Sequence, residues 1–171
     1  MKVEKREKKE VKGGFLSLSG KQITIFLLEF LAVSAIFLAV WYYIGKFYQD
    51  AIFFFAKHIL LSMGYTPVQV SALDLSDAYL GNFNLVPLIA LAIATPKLML
   101  RKRFEMLAVG VPLLFLLHVL DLVAHLPYFL GSELARFVVY SIGVGGVAMP
   151  FIIWFAINFS FLKKGLSKTF S

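Results

Sequence analysis

The chain divides into apolar stretches at about 22–45, 82–100, 105–126 and 136–161, separated by short polar or basic segments. Each approaches or exceeds the ~18–20 apolar residues that a helix needs to cross a ~30 Å hydrocarbon core. They predict four transmembrane helices. A fifth apolar run, DAIFFFAKHILLSMG (50–64), is too short to cross and is interrupted by Lys57 and His58. It predicts an interfacial or re-entrant helix. In the stretch that follows, YTPVQVSALDLSDAYLG (65–81), VQVSALDL alternates with a strand-like period, and Tyr65 and Tyr79 bracket what reads as an ordered outer cap. The expected fold is therefore an all-α integral membrane protein. It has four transmembrane helices, an extra interfacial or re-entrant helix and a short outer cap.

Punctuation along the chain fits this division. Trp41, Tyr42 and Tyr43 fall where the first span meets the outer interface, a position that favours amphipathic rings. WYY stands where a signal peptide would carry small residues, so the first span reads as a retained helix. Glu29 lies about two turns from the inner boundary and can snorkel or pair there. The second span starts GNFNLVP, with Pro87 in its first turns, and Pro96 ends it. Ala90, Ala92 and Ala94 offer a small face for close helix contact. Gly110 and Pro112 predict a local kink in the third span. The fourth span begins GSELAR, where Ser132 can cap and Glu133 suits the positive helix end, and GVGG (143–146) and Pro150 predict close packing and a bend.

Composition changes the picture little and charge changes it more. The 171 residues are 60% hydrophobic and 16% charged, with a mean hydropathy of +0.81. Soluble domains are roughly a quarter charged. The net charge of +7 does not point to nucleic acid, because of where the charges lie. Seven of the seventeen basic residues fall in the first 21 positions. Lys97, Arg101, Lys102, Arg103, Lys163, Lys164 and Lys168 bring that side to fourteen, against Lys46, Lys57 and Arg136 on the other. Lys and Arg collect on the cytoplasmic side of short loops. The expected layout is thus a basic cytoplasmic arm at 1–21, a four-span membrane domain at 22–162 and a basic cytoplasmic tail at 163–171, in the cell membrane with both termini inside. The arm is suited to anionic lipid headgroups.

One stretch breaks the apolar pattern. HVLDLVAH (118–125) places two histidines and an aspartate near the outer end of the third span. Offsets of three and four put His118, Asp121 and His125 on one helical face. An aspartate facing lipid costs roughly 2.5–3.5 kcal/mol at mid-helix, so this face is expected to turn inward. Arg136 enters the fourth span at the same outer level and is the expected ion-pair partner of Asp121. Asn82, Asn84 and Glu133 are weaker candidates for a binding role there. Three chemistries compete for this cluster. His118, Asp121 and His125 could bind a divalent metal such as zinc, through imidazole nitrogens and a carboxylate. A histidine poised by the aspartate, with Arg136 nearby, could serve acid–base catalysis. A polar seam that fixes helix packing needs no cofactor, and it is the leading expectation.

The order of features resembles the exosortase/archaeosortase family of membrane transpeptidases over roughly residues 55 to 160. The resemblance is carried by ILLSMGYTPVQVSALDL, NLVPLIALAIATPKLMLRKR, GVPLLFLLHVLDLV and GGVAMPFIIWF. It implies an outer-side Cys, Arg and His that cleave and transfer C-terminal sorting signals. This chain departs from that pattern at each of those positions. It contains no cysteine, so the thiol expected around Asn82 to Val86 is absent and a thiol transpeptidase mechanism is excluded. The family's N-x-x-R lines up with His118-Val-Leu-Asp121, and its last histidine finds Glu133 or Arg136. The expectation is a non-catalytic binding or assembly protein on an exosortase-like scaffold, contacting the bilayer and another membrane protein or a sorted substrate's tail. The alternatives are a divergent hydrolase or transferase that uses His118, Asp121 and His125, and a small transporter, for which only His118 and Asn158 lie deep enough.

Overall fold

The structure, a computed structural model, describes residues 19–73 and 82–166, and for 160–166 the backbone alone. The basic arm up to residue 18, the end of the strand-like stretch at 74–81 and the last five residues lie outside the described part. The described chain is all-helical: α1 Gly20–Ser62, α2 Pro67–Ser71, α3 Leu85–Ala94, α4 Leu100–Phe129 and α5 Glu133–Leu166. Helices α1, α4 and α5 are long and apolar enough to cross a membrane.

Three expectations change. The first span and the interfacial segment at 50–64 form one helix of 43 residues, about 65 Å long at 1.5 Å per residue. No glycine or proline interrupts 46–62. Gly45, Gln49, Ile52, Ala56 and Leu60 continue a buried stripe at helical spacing while Lys57 and His58 point outward. The expected second span, 82–100, is helical over the ten residues of α3 and then only at Leu100, where α4 begins. Thr95 leaves the helical region at ψ 114, as a residue before proline tends to, and Lys97 turns the chain at φ 58. The strand-like stretch begins as helix α2. Thr66 and Gln69 form a reciprocal capping box around Pro67, a helix-start signal stronger than a short alternation.

The other boundaries follow local chemistry. Ser19 and Gln22 cap α1 reciprocally. The basic RKR joins the first turn of α4. Ser132 caps α5, its Oγ accepting from the Ala135 amide at 3.3 Å, and α5 stays helical through GVGG and Pro150.

Helix α3 occupies the centre, with seven of its ten residues buried. A helix this short leaves backbone groups open at both ends, which is tolerable at membrane depth only inside protein. Side-chain neighbours give the directions of the helices around it. Gly110 meets Leu88 and Ile153, Leu117 and Asn84 meet at Gly146, and Asn158 meets Met106, so α4 runs antiparallel to α3 and α5. Tyr48 meets His118 and Phe55 meets Phe115, while Ile52, Ala56 and Leu60 cluster with Val119, Leu122, Val123 and Leu126. The upper half of α1 therefore lies along the upper half of α4. Val70 of α2 completes this upper cluster above the start of α3. The lower cluster surrounds Leu85, Leu88, Leu91, Met106, Leu114 and Ile153. Trp41, expected at the interface, is buried in that cluster, whereas Tyr42 and Tyr43 are exposed.

Candidate functional site

The HVLDLVAH stretch divides into two unlike halves. His118 faces α1 and is only 3% exposed. Its Nδ1 lies 2.9 Å from the Tyr48 hydroxyl. The Tyr48 ring also packs edge-on against Trp41 and Phe115. A phenol is a far better donor than acceptor when an imidazole nitrogen is its partner, which makes Tyr48 the donor and leaves a proton on Nε2. That Nε2 is buried without a hydrogen-bond partner among the described residues.

One residue further along α1, Gln49 is buried, and its Oε1 accepts from Asn82 Nδ2 at 2.7 Å. Asn84 caps the start of α3 without a side-chain cap bond and is also buried. Its Nδ2 lies 3.3 Å from where a Cβ on Gly146 would stand, with Leu117, the neighbour of His118, against the same point. Polar groups of α1, α4 and the lead into α3 thus meet at one level, with Gly146 of α5 beside Asn84.

Asp121 and His125 belong to a second, more open group. Their side chains are 27% and 31% exposed. His125 Nδ1 sits 2.7 Å from the Asp121 carbonyl oxygen and 3.7 Å from its carboxylate. The shared helical face is therefore only partial: His118 turns into the bundle and the other two lie along its edge. Among the described residues, no three His, Asp or Glu side chains converge on a point that could hold a metal ion.

The expected Asp121–Arg136 ion pair does not form. Arg136 pairs with Glu133 one turn back, Nη1 to Oε1 at 3.3 Å. The reason is register. Tyr128 faces Tyr140 and Leu117 approaches Gly146, so Arg136 stands about 10 Å above Asp121 along the helix axes.

Sequence reasoning passed over Tyr48 and Gln49, which sit in the short break between two apolar runs. Their signal is the helical spacing from Trp41 through Gly45 to Ile52, the stripe that α1 buries. At the other end of the bundle it singled out Asn158 but passed over the cluster around it. The Arg103 guanidinium bonds three carbonyls of the α3–α4 connection, those of Ile93, Thr95 and Leu98. The Trp154 indole donates to Thr95 Oγ1 at 2.8 Å, and Asn158 Nδ2 donates to the Trp154 carbonyl. In the sequence Arg103 reads only as part of a basic turn.

In comparisons with known proteins, the chain matches no family model, no curated protein and no solved structure.

Proposed function

We propose that this chain is a multi-pass protein of the cell membrane whose scaffold is of the exosortase/archaeosortase type and whose role is binding or assembly. One observation carries the reading: the Tyr48–His118 hydrogen bond joins α1 to α4 at a buried position. An acid–base centre needs its groups to converge on a point that substrate can reach. Here the buried histidine serves a helix–helix contact, while Asp121 and His125 engage each other on the bundle's edge. A transport path needs a polar track through the membrane. Between His118 and Asn158 the bundle is filled by Leu114, Leu88, Gly110 and Ile153, so tightly that a Cβ on Gly110 would stand 2.7 Å from Leu88 Cδ2. Interhelical hydrogen bonds and close contacts are what hold helices together in lipid.

The proposed topology has four crossings with both termini in the cytoplasm. The second crossing is α3 with its flanks. The helix contributes ~15 Å of a ~30 Å core, and the turns at 83–84 and 96–97 lead the chain out of it at either end. Lys97, Arg101, Lys102 and Arg103 then lie on the same side as the basic arm, where the arm meets anionic headgroups.

The test is elemental analysis and thermal melting of detergent-purified protein, comparing wild type with Tyr48→Phe, His118→Ala and Asp121→Ala. The expected result is no stoichiometric metal. Tyr48→Phe should lose about 1–3 kcal/mol, because it leaves a buried nitrogen unpaired. His118→Ala should melt lower still, and Asp121→Ala close to wild type. Stoichiometric metal that disappears in both His118→Ala and Asp121→Ala would overturn the reading.

A further inference from the structure

The turn between α4 and α5 carries an open pocket lined by Tyr128, Gly131, Ser132, Glu133, Arg136 and Tyr140. Gly131 adopts φ 89, and a Cβ there would meet nothing within 4 Å. Within the pocket a guanidinium and a carboxylate stand side by side, Arg136 Nη1 lying 3.3 Å from Glu133 Oε1, and both side chains are more than half exposed. Two phenol rings frame them. The Arg136 Cζ is 6.0 Å from the Tyr140 ring centroid, and Tyr128 lies edge-on to Tyr140 at 6.2 Å. The chain neighbours of these lining residues are apolar: Phe129, Leu130, Leu134 and Phe137 are all at least 60% exposed.

A charged pocket edged by bare apolar side chains matches the boundary of a bilayer, where acyl chains meet headgroups. The guanidinium fork suits a phosphate, on which it can place two parallel hydrogen bonds. The adjacent carboxylate opposes a purely anionic ligand and favours one that also carries an ammonium. Tyrosine faces add to the attraction of a cation. We infer that this pocket seats the headgroup of an outer-leaflet aminophospholipid. Arg136 holds the phosphate, Glu133 holds the primary ammonium, and the acyl chains descend along Phe129, Leu130, Leu134 and Phe137. The inference rests on the topology proposed above, which puts this turn at the outer surface.

The test is native mass spectrometry of the full chain released from nanodiscs containing equal amounts of phosphatidylethanolamine and phosphatidylglycerol. Wild type should retain phosphatidylethanolamine preferentially. Arg136→Gln should reduce retention of both lipids at least about tenfold, since one charge-assisted hydrogen bond alone has that effect. Glu133→Gln should abolish the preference and let phosphatidylglycerol bind as well. Thermal melting checks that both variants fold. Equal retention by wild type and Arg136→Gln, or an unchanged preference in Glu133→Gln, overturns the headgroup site. Labelling of Leu130→Cys by a membrane-impermeant thiol reagent separates the two possible failures. If it is labelled from outside, only the headgroup site falls. If it is reached only from the cytoplasmic side, the topology falls with it.

Discussion

Gly110 sits where α3, α4 and α5 come closest. A Cβ there would stand 2.7 and 3.1 Å from the two methyl carbons of Leu88 and 3.2 Å from Ile153 Cγ2. Leu88 is fully buried and Ile153 nearly so, so neither can swing aside into open space. Gly110→Ala should therefore destabilise the protein by about 1–3 kcal/mol, the usual cost of overpacking. Adding Leu88→Ala should give a loss smaller than the sum of the two single variants, because both act on one contact. Gly143→Ala makes the control, since a Cβ there meets nothing within 4 Å and it should melt like wild type. Thermal melting in detergent compares all four. At this scale the sequence was only partly legible. GVGG was expected to pack closely, yet of its three glycines only Gly146 has a neighbour within reach of a Cβ. Gly110 was expected to mark a kink, and its contact with Leu88 depends on a neighbouring helix that periodicity cannot place. His118 stood out as a polar residue in an apolar run, but its partner Tyr48 lies seventy positions away.

The element that most needs explanation is α3, a ten-residue helix wrapped by three long ones. Its last turn ends against Pro96, and the free carbonyls there would be costly in a buried place. Arg103 answers this by reaching back from the first turn of α4 to the carbonyls of Ile93, Thr95 and Leu98. A lysine keeps the charge but lacks the planar fork that serves several acceptors at once. Arg103→Lys and Arg103→Gln should therefore both increase hydrogen exchange over 91–98, with a stability loss of about 1.5–3 kcal/mol for bonds to a charged group. Exchange in Arg103→Lys equal to wild type would reduce this residue to a basic topology marker. The existence of helices was readable from apolar length alone, but their ends were not. The merger of 22–45 with 50–64 depends on Gln49, a polar residue that α1 buries because Asn82 supplies its hydrogen bond. The shortening of 82–100 depends on the turn that Thr95, Pro96 and Lys97 make together.

For the whole molecule, the direction of the helices constrains the topology. Helices α1 and α4 advance together: Phe26 and Trp41 share the lower cluster with Met106 and Leu114, and Ile52, Ala56 and Leu60 share the upper one with Val119, Leu122, Val123 and Leu126. Two parallel helices that both cross a membrane need a return path between them, and α3, antiparallel to α4, is the helix that lies there. Three long helices alone would leave the chain's ends on opposite sides; a traversing α3 brings them to the same side. The full sequence contains no cysteine, so single introduced thiols report without interference. Met63, Met99 and Leu130 are at least half exposed and Lys21 is also exposed, which makes each a site that tolerates substitution. In intact cells an impermeant maleimide should label Met63→Cys and Leu130→Cys, and should reach Lys21→Cys and Met99→Cys only after the membrane is opened. That pattern puts the basic residues around Met99 with the basic arm, as the distribution of Lys and Arg demands. Met63→Cys and Met99→Cys labelled from the same side would mean that α3 does not traverse. The parallel packing of α1 and α4 would then be incompatible with both of them crossing.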